Sequence, residues 1–526
     1  MTKLSKRTFL KTAVASAFGF PAVSAIAKSF EPSMKWDRET DVLVVGFGGA
    51  GACAAITAHD SGAKVLIVEK MAEAGGNTAV SAGGFMIPDD AAKAYEYLRG
   101  TYQFVDSDFD EALLRTFCEE NKKTKEFLKS LDPDIKMFVY GYAGFKNLPG
   151  HETIKRYRVK AKPDAKRRGG GDSLFSVLKN AVEKRGIPVL LNSPCVSLIR
   201  RNDEVIGATV RNNGKEINIC ARKGVVLACG GYEFDRQSLQ NFTLGTHIGA
   251  IGNPGNTGDG LRLAQSMGAR IWHMSGYSAF LGVKYPGFKT SVSCSVRGPS
   301  WIWVDQHGKR FSNEKIDGHC QLYVAQALDA INHCYPRIPC YLVFDDKALK
   351  AGPLDSSLGS GYAINREHHR WSKDLAHEVE LGIVKKADTI EELAKQIGVP
   401  AENLSATVKR WNSDVKAGKD TEFGRPIKTK AKSYAWDGAE ISAPIETAPF
   451  YAVTLYPTLV NTQGGPKKNE RGQVMDALDK PIPRLYAAGE LGSMWGALYQ
   501  GACNNAESLV FGRITGREVA KESAWH

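Results

Sequence analysis

Between residues 41 and 69 a buried-strand run, a glycine loop, a helical stretch and a second strand follow one another directly, and that unit leaves few folds open. Asp41-Val42-Leu43-Val44-Val45 reads as the strand and Gly46-Phe47-Gly48-Gly49-Ala50-Gly51 as the loop, followed by a helix over 52–61 and a strand over 64–68. Glycines in this G-x-G-x-x-G spacing permit a tight turn and bring backbone N–H groups close to a pyrophosphate at the positive end of the helix. Glu69 closes the second strand, where a carboxylate accepts hydrogen bonds from an adenosine ribose. The glycine loop alone is a weak signal. With both strands, the helix and the acid in register, the unit predicts dinucleotide binding on a Rossmann-like α/β scaffold.

The rest of the chain must supply what acts beside that nucleotide. Its 526 residues allow two or three domains. The net charge of +12 owes four units to Lys3, Lys6, Arg7 and Lys11, in a leading 27 residues without an acid. A basic surplus suits an acidic redox partner, an anionic substrate or an ordinary basic protein. No window concentrates Lys and Arg beside stacking aromatics, so nucleic-acid binding is not expected. The basic start, the apolar middle and Ala25-Ile26-Ala27 read as an export signal over 1–27, with a membrane anchor as the alternative. Lys6-Arg7 followed by Phe9-Leu10-Lys11 resembles a twin-arginine signal in which lysine replaces the first arginine. No other apolar run reaches the roughly 18 residues of a membrane span, so the expected mature protein is periplasmic without an integral span. The ten cysteines contain no C-x-x-C or C-x-x-C-H, which argues against a cluster, a zinc site, a dithiol centre or an attached c-type haem.

Helical periodicity recurs over roughly 90–130 and 173–184, and strand patterns over 189–191, 196–200, 205–211, 216–221 and 225–228. From about 275 to 456 the character shifts to aromatic-rich loops, a strand at Cys340–Phe344 and a helix near Thr389–Ile397. A strand at Leu485–Ala488 and a helix over Ala506–Lys521 then return. The expected organisation is a dinucleotide domain made from 28–274 and 457–526, with a capping domain at 275–456.

Several further motifs act in combination. They are Gly75-Gly76-Asn77-Thr78, Ser81-Ala82-Gly83-Gly84, Ala228-Cys229-Gly230-Gly231, Thr257-Gly258-Asp259-Gly260, Gly308-Lys309-Arg310-Phe311-Ser312-Asn313-Glu314, Tyr341-Leu342-Val343-Phe344-Asp345 and Leu485-Tyr486-Ala487-Ala488-Gly489-Glu490. Together, from about residue 38 to 520, they resemble the fumarate reductase flavoprotein superfamily. The resemblance implies an α/β fold: a Rossmann-like FAD-binding domain of the glutathione-reductase type with an inserted α+β capping domain. It implies non-covalent FAD contacted by Gly46, Gly48, Gly49, Ala50, Gly51, Glu69, Lys70, Gly76, Asn77, Thr78, Ser81, Gly83, Gly84, Val196, Gly230, Asp259, Gly489, Glu490, Ser508 and Leu509. It also implies hydride transfer between the flavin and a carbon activated by a neighbouring carbonyl or carboxylate.

The substrate end departs from the dicarboxylate reductases of that superfamily. Their arginine proton donor corresponds to Gly318, their clamping histidine to Asn461, and a second arginine to the region of Tyr499-Gln500. Their Gln-x-His-Pro segment reads Ser278-Ala279-Phe280-Leu281, and Arg297 remains from the proton relay with Cys294 where its acidic partner would stand. Tyr499-Gln500-Gly501-Ala502-Cys503 and Gly141-Tyr142-Ala143-Gly144-Phe145 resemble segments of the 3-ketosteroid dehydrogenases, whose base tyrosine also falls at Gly318. That resemblance places Tyr499 with the Gly501 and Cys503 amides at a carbonyl oxygen and Tyr142 beside the substrate, while the correspondence with the dicarboxylate reductases places Phe280 and Asn461 there. His319, or Asp317, supplies the proton from next door. His319 equally fits an ordinary loop histidine, Tyr499 a packed aromatic, and Arg297 a structural ion pair.

The expectation is a periplasmic FAD-dependent reductase of an activated C=C bond in an enone or enoate other than fumarate, fed by a separate cytochrome or quinol-linked donor. Two alternatives stay open: a dehydrogenase that desaturates a cyclic ketone, and a non-catalytic flavin electron-transfer subunit.

Overall fold

Strands Arg38–Val45 and Val65–Val68 run parallel and in register, Val42 opposite Val65 and Val45 opposite Val68. Val42–Val45 and Val65–Val68 are buried throughout, the continuous apolar pattern of a parallel sheet covered on both faces. Val189–Leu190 extends this sheet on one side and Lys215–Leu227 on the other. The computed structural model describes residues 28–30, 34–103, 105–160, 170–243, 248–315, 319–354, 371–427, 441–496 and 498–525. The expected signal 1–27 and the positions Asp317 and Gly318 lie outside them.

Lys215–Leu227 is one 13-residue strand where the sequence pattern suggests two, because an irregularity between Ala221 and Gly224 breaks the alternation without ending the strand. Its first half pairs antiparallel with Glu204–Asn212, and its last residues pair parallel with Pro481–Ala487. The C-terminal strand is thereby set beside the N-terminal ones, so both ends of the chain build one sheet. Helix Gly49–Asp60 packs against helix Cys503–Lys521 through small residues. A Cβ on Gly512 would lie 2.6 Å from Cys53 Cβ, and one on Gly516 would lie 2.4 Å from the Ala54 carbonyl oxygen.

The cap is built on a seven-stranded sheet around the long strand Phe450–Thr462. Tyr277–Val283 and Cys340–Asp345 pair with opposite halves of it. The strand runs unbroken through position 456 and so carries cap residues directly to the nucleotide side. Helix Ala401–Ala417 has no counterpart among the expected elements. Its apolar positions Leu404, Val408 and Trp411 are buried, and Pro400 and Gly418 bound it. Arg310, from the GKRF motif, is fully buried and bonds Glu314 at 2.8 and 2.9 Å and Asp420 at 2.9 and 3.0 Å. Both partners are forked carboxylates, and the network fixes the segment that leads on to His319. Among the described residues no helix is long and apolar enough to cross a membrane.

Candidate functional site

A cleft of about 1150 Å³, open mouth included, runs along the C-terminal ends of the parallel strands, where open α/β sheets place ligands. Each loop glycine has its own reason. Gly46 holds φ +105°, and a Cβ there would strike the Ala228 carbonyl oxygen at 2.3 Å. A Cβ on Gly51 would sit 2.0 Å from the Gly46 carbonyl oxygen, so this glycine lets the helix close on the strand. At Gly48 the nearest atom is 3.7 Å away; the protein leaves that space open, and it lies where a phosphate approaches the helix end. Glu69 accepts one backbone hydrogen bond on each carboxylate oxygen, from Phe47 at 2.7 Å and Met71 at 2.8 Å. Each oxygen retains a lone pair for a ribose hydroxyl. Burial pushes this carboxyl up, against those two amides and the Lys70 charge.

Further along, two acids share one amide. Asn77 Nδ2 donates to Glu233 Oε1 at 2.7 Å and to Glu490 Oε2 at 2.8 Å, and Asn77 Oδ1 accepts from the Asn253 amide at 2.7 Å. Burial pushes Glu233 up to about 7, while burial and then the Glu233 charge push Glu490 up. These carboxyls keep protons in the folded chain that they release near 4.5 when exposed. The Glu233 contribution to stability is therefore complete below that value and is lost as pH rises through about 7, and Glu490 acts in the same direction. The apparent melting temperature of flavin-free protein is expected to fall from about pH 5 to about pH 8, and Glu490→Gln to flatten that slope. An unchanged slope in the variant would remove the pair as its source.

At the far end of the cleft, Tyr499 lies edge-on to His319, ring centres 4.8 Å apart. The imidazole Nδ1 is hydrogen-bonded to Ser278 Oγ, which leaves Nε2 as the atom facing the last loop, 3.5 Å from where a Gly501 Cβ would be. Ala279 N donates to the His319 carbonyl oxygen at 3.3 Å and ties this histidine to strand Tyr277–Val283. Gln500 is buried, and its side-chain oxygen accepts from Tyr97 Oη at 2.5 Å and from Gly144 N at 3.2 Å, joining the last loop to the Gly141–Phe145 segment. Ala502 opens the final helix at φ +79°, a left-handed conformation that a residue with a Cβ adopts at a cost.

Many of the sequence-derived cofactor residues line the cleft: Gly46, Gly48, Gly49, Ala50, Glu69, Lys70, Gly76, Asn77, Thr78, Ser81, Gly230, Asp259, Glu490 and Ser508. Lys70 and Asp259 meet there as an ion pair. Gly51, Gly83, Gly84, Val196, Gly489 and Leu509 stand behind the wall. A Cβ on Gly83 would overlap Gly170, and one on Gly84 the Tyr140 hydroxyl; Cys195 faces the cleft in place of its neighbour Val196. On the substrate side, Tyr499 and Asn461 line the cleft and His319 and Gly501 adjoin it. The Cys503 amide already donates to Gln500 O at 3.0 Å, so it is engaged within the loop and not turned to a ligand. Tyr142 is 52% exposed, Phe280 is half-buried opposite Thr458, and Arg297 is exposed with its stem against Gly352. None of these three lines the cleft. Sequence reasoning passed over Ser278, Glu233, Asn253 and Asn504. Asn253 sits just before the Thr257–Gly260 motif, and the motif's position was the available signal.

The donor set fits an adenine dinucleotide flavin. The Glu69 carboxylate stands at the ribose end, the Gly48 space is open, and Asn504 Oδ1 is buried at the cleft wall with no partner among the described residues.

Known proteins agree. A family model described as an FAD binding domain matches residues 41–505. The chain is 30% identical to the acrylate reductase flavoprotein subunit of Shewanella woodyi (strain ATCC 51908 / MS32), over 98% of each chain. It is 29% identical to the NADH:fumarate oxidoreductase of Klebsiella pneumoniae (strain 342), over 99% of this chain but 52% of that one; it thus spans about half the length of that relative. Its fold matches the crystal structure of 3-ketosteroid delta1-dehydrogenase from Sterolibacterium denitrificans with a TM-score of 0.77 and 25% identity, over 92% of this chain and 99% of that one.

Proposed function

The chain belongs to this FAD-binding family, whose members act as oxidoreductases on CH–CH bonds, and on that premise we propose that it reduces an activated C=C bond in an enone or enoate other than fumarate. FAD, when bound in this cleft, would supply the hydride chemistry. The chain's own part is to hold the carbonyl oxygen at the Tyr499 hydroxyl, and to hold a proton at His319 Nε2 for the carbon α to that carbonyl. The observation that carries the reading is the His319–Tyr499 pair, with Ser278 fixing the other imidazole nitrogen. A proton donor and a hydroxyl donor on one side of a planar alkene are what protonation of an enolate needs.

The sequence has no haem-attachment motif, so we assign electron supply to a separate cytochrome or quinol-linked donor. The periplasmic assignment rests on residues 1–27. The test is anaerobic reoxidation of the reduced flavin against unsaturated acids, enones and aryl acrylates. His319→Gln is expected to slow turnover of the best alkene by roughly 100-fold with little change in flavin content. Fast turnover of fumarate would sink the exclusion argued from the identities of Gly318 and Asn461.

Likeness to a steroid dehydrogenase favours a second reading, desaturation of a cyclic ketone. It predicts that an oxidised dye drives turnover where reduced viologen fails.

A further inference from the structure

Among the described residues, four arginines use the same edge of the guanidinium to grip a carboxylate. Arg115, Arg185, Arg222 and Arg310 each direct Nε and Nη2 to Glu111, Asp60, Glu39 and Glu314, at 2.6–3.0 Å. Arg156, on strand Ile154–Val159, has that edge too. There both nitrogens are buried, and neither has a hydrogen-bond partner among the described residues. A buried fork of N–H donors with no acceptor is unfavourable in a folded protein. Its natural complement is a planar anion.

The position of this guanidinium gives it meaning, because its third nitrogen, Nη1, and Cζ reach the last loop. A Cβ built on Gly501 would lie 3.4 Å from Arg156 Nη1, 3.5 Å from its Cζ and 3.5 Å from His319 Nε2. These are ordinary van der Waals separations, so the small volume left by the missing side chain touches both Nη1 of the guanidinium and Nε2 of the imidazole. Tyr499 stands edge-on behind His319. An atom placed there touches a cation and a candidate proton donor at once.

We propose that Arg156 is the substrate-binding residue that accepts the carboxylate of an α,β-unsaturated monocarboxylic acid. This narrows the enone-or-enoate class of the proposed function to enoates and rests on that reading. One fork matches one carboxylate. Nη1 of the same guanidinium and His319 Nε2 border one small volume, so a carboxylate held by Arg156 brings its α carbon near the imidazole that would protonate it.

The experiment uses the flavin-loaded full chain and two unreactive probes, propanoate and propanamide, which differ in the carboxylate alone. Binding is read by titration calorimetry and by the perturbation of the flavin absorbance, neither of which requires turnover. Wild-type protein is expected to bind propanoate in preference to propanamide, and Arg156→Gln to weaken propanoate by roughly 100-fold while propanamide is unmoved. Arg156→Lys keeps the charge but loses the planar fork, and decides the matter should the glutamine variant fail to fold: KM for acrylate rises and kcat is retained. Equal binding of the two probes by wild type, or propanoate binding unchanged by either substitution, overturns the assignment. The two readings fail separately. Binding of propanoate through Arg156 with no reoxidation by acrylate or methyl vinyl ketone removes the reductase and leaves the anchor. Reduction of both alkenes with kcat/KM unchanged in the variants removes the anchor and leaves the reductase.

Discussion

Gly51→Val is expected to yield protein that purifies without flavin. A Cβ at this position would lie 2.0 Å from the Gly46 carbonyl oxygen and 3.4 Å from Ala228 Cβ, and valine adds two methyl groups beyond that. Neither neighbour is the flexible end of a side chain. The helix must withdraw from the strand, carrying its N-terminal amides away from the phosphate position. The expected loss of FAD affinity is at least roughly 100-fold, or about 3 kcal/mol, with overpacking destabilising the apoprotein as well. Gly48→Ala separates these two effects. Its Cβ would meet nothing closer than 3.7 Å within the protein, so the apoprotein should melt as wild type does while the added methyl crowds the ligand. Measuring flavin content and apoprotein melting for both variants checks this. Wild-type flavin content in Gly51→Val would show that the loop does not position the nucleotide.

That contrast also marks how much could be read before a structure was available. The nucleotide end was legible because its constraints are local. Gly46 to Glu69 is a single strand–loop–helix–strand unit, in which Gly46 and Gly51 answer to close backbone oxygens and Gly48 leaves open the space where a phosphate approaches. The substrate end was legible in part. Tyr499 and His319 come together as a pair, but they stand 180 residues apart in sequence and meet through the cap. Ser278, which fixes the imidazole, carries no motif of its own. Phe280, two positions on, drew attention because its segment departs from a pattern, yet the pairing of strand Tyr277–Val283 leaves it outside the cleft. Arg297 sits in a motif that packs against Gly352 on the cap surface. Arg156 gave no signal, since an arginine on an amphipathic strand usually faces solvent, and only the unfilled fork distinguishes it. Glycine spacing therefore located the cofactor loop, whereas long-range packing decided which polar side chains face the substrate.

Lys468→Met is expected to destabilise the whole C-terminal half of the nucleotide domain. Lys468 Nζ donates to Glu507 Oε1 at 2.7 Å and to Gly489 O at 3.3 Å, and both charged side chains are fully buried. Glu507 also accepts from Ser493 Oγ at 2.5 Å and Met494 N at 3.0 Å. One ion pair thus binds three stretches: the residues after Gly465–Pro466, the Gly489–Met494 loop that carries Glu490, and the final helix. A methionine fills the volume but leaves the Glu507 charge buried without its counter-charge, which costs about 3–5 kcal/mol. The expected outcome is a clear drop in apparent melting temperature and, because Glu490 rides on the same loop, reduced flavin occupancy. Lys468→Met combined with Glu507→Gln removes both charges, keeps an oxygen to accept from Met494 N and turns an NH2 to Ser493 Oγ, which can accept in place of donating, and should recover most of the loss. Should the double variant melt no higher than the single one, the deficit lies in packing around Phe511, whose ring stands 5.3 Å from Nζ, and not in the stranded charge. Recovery of melting together with flavin content would tie the placement of Glu490 to this buried pair.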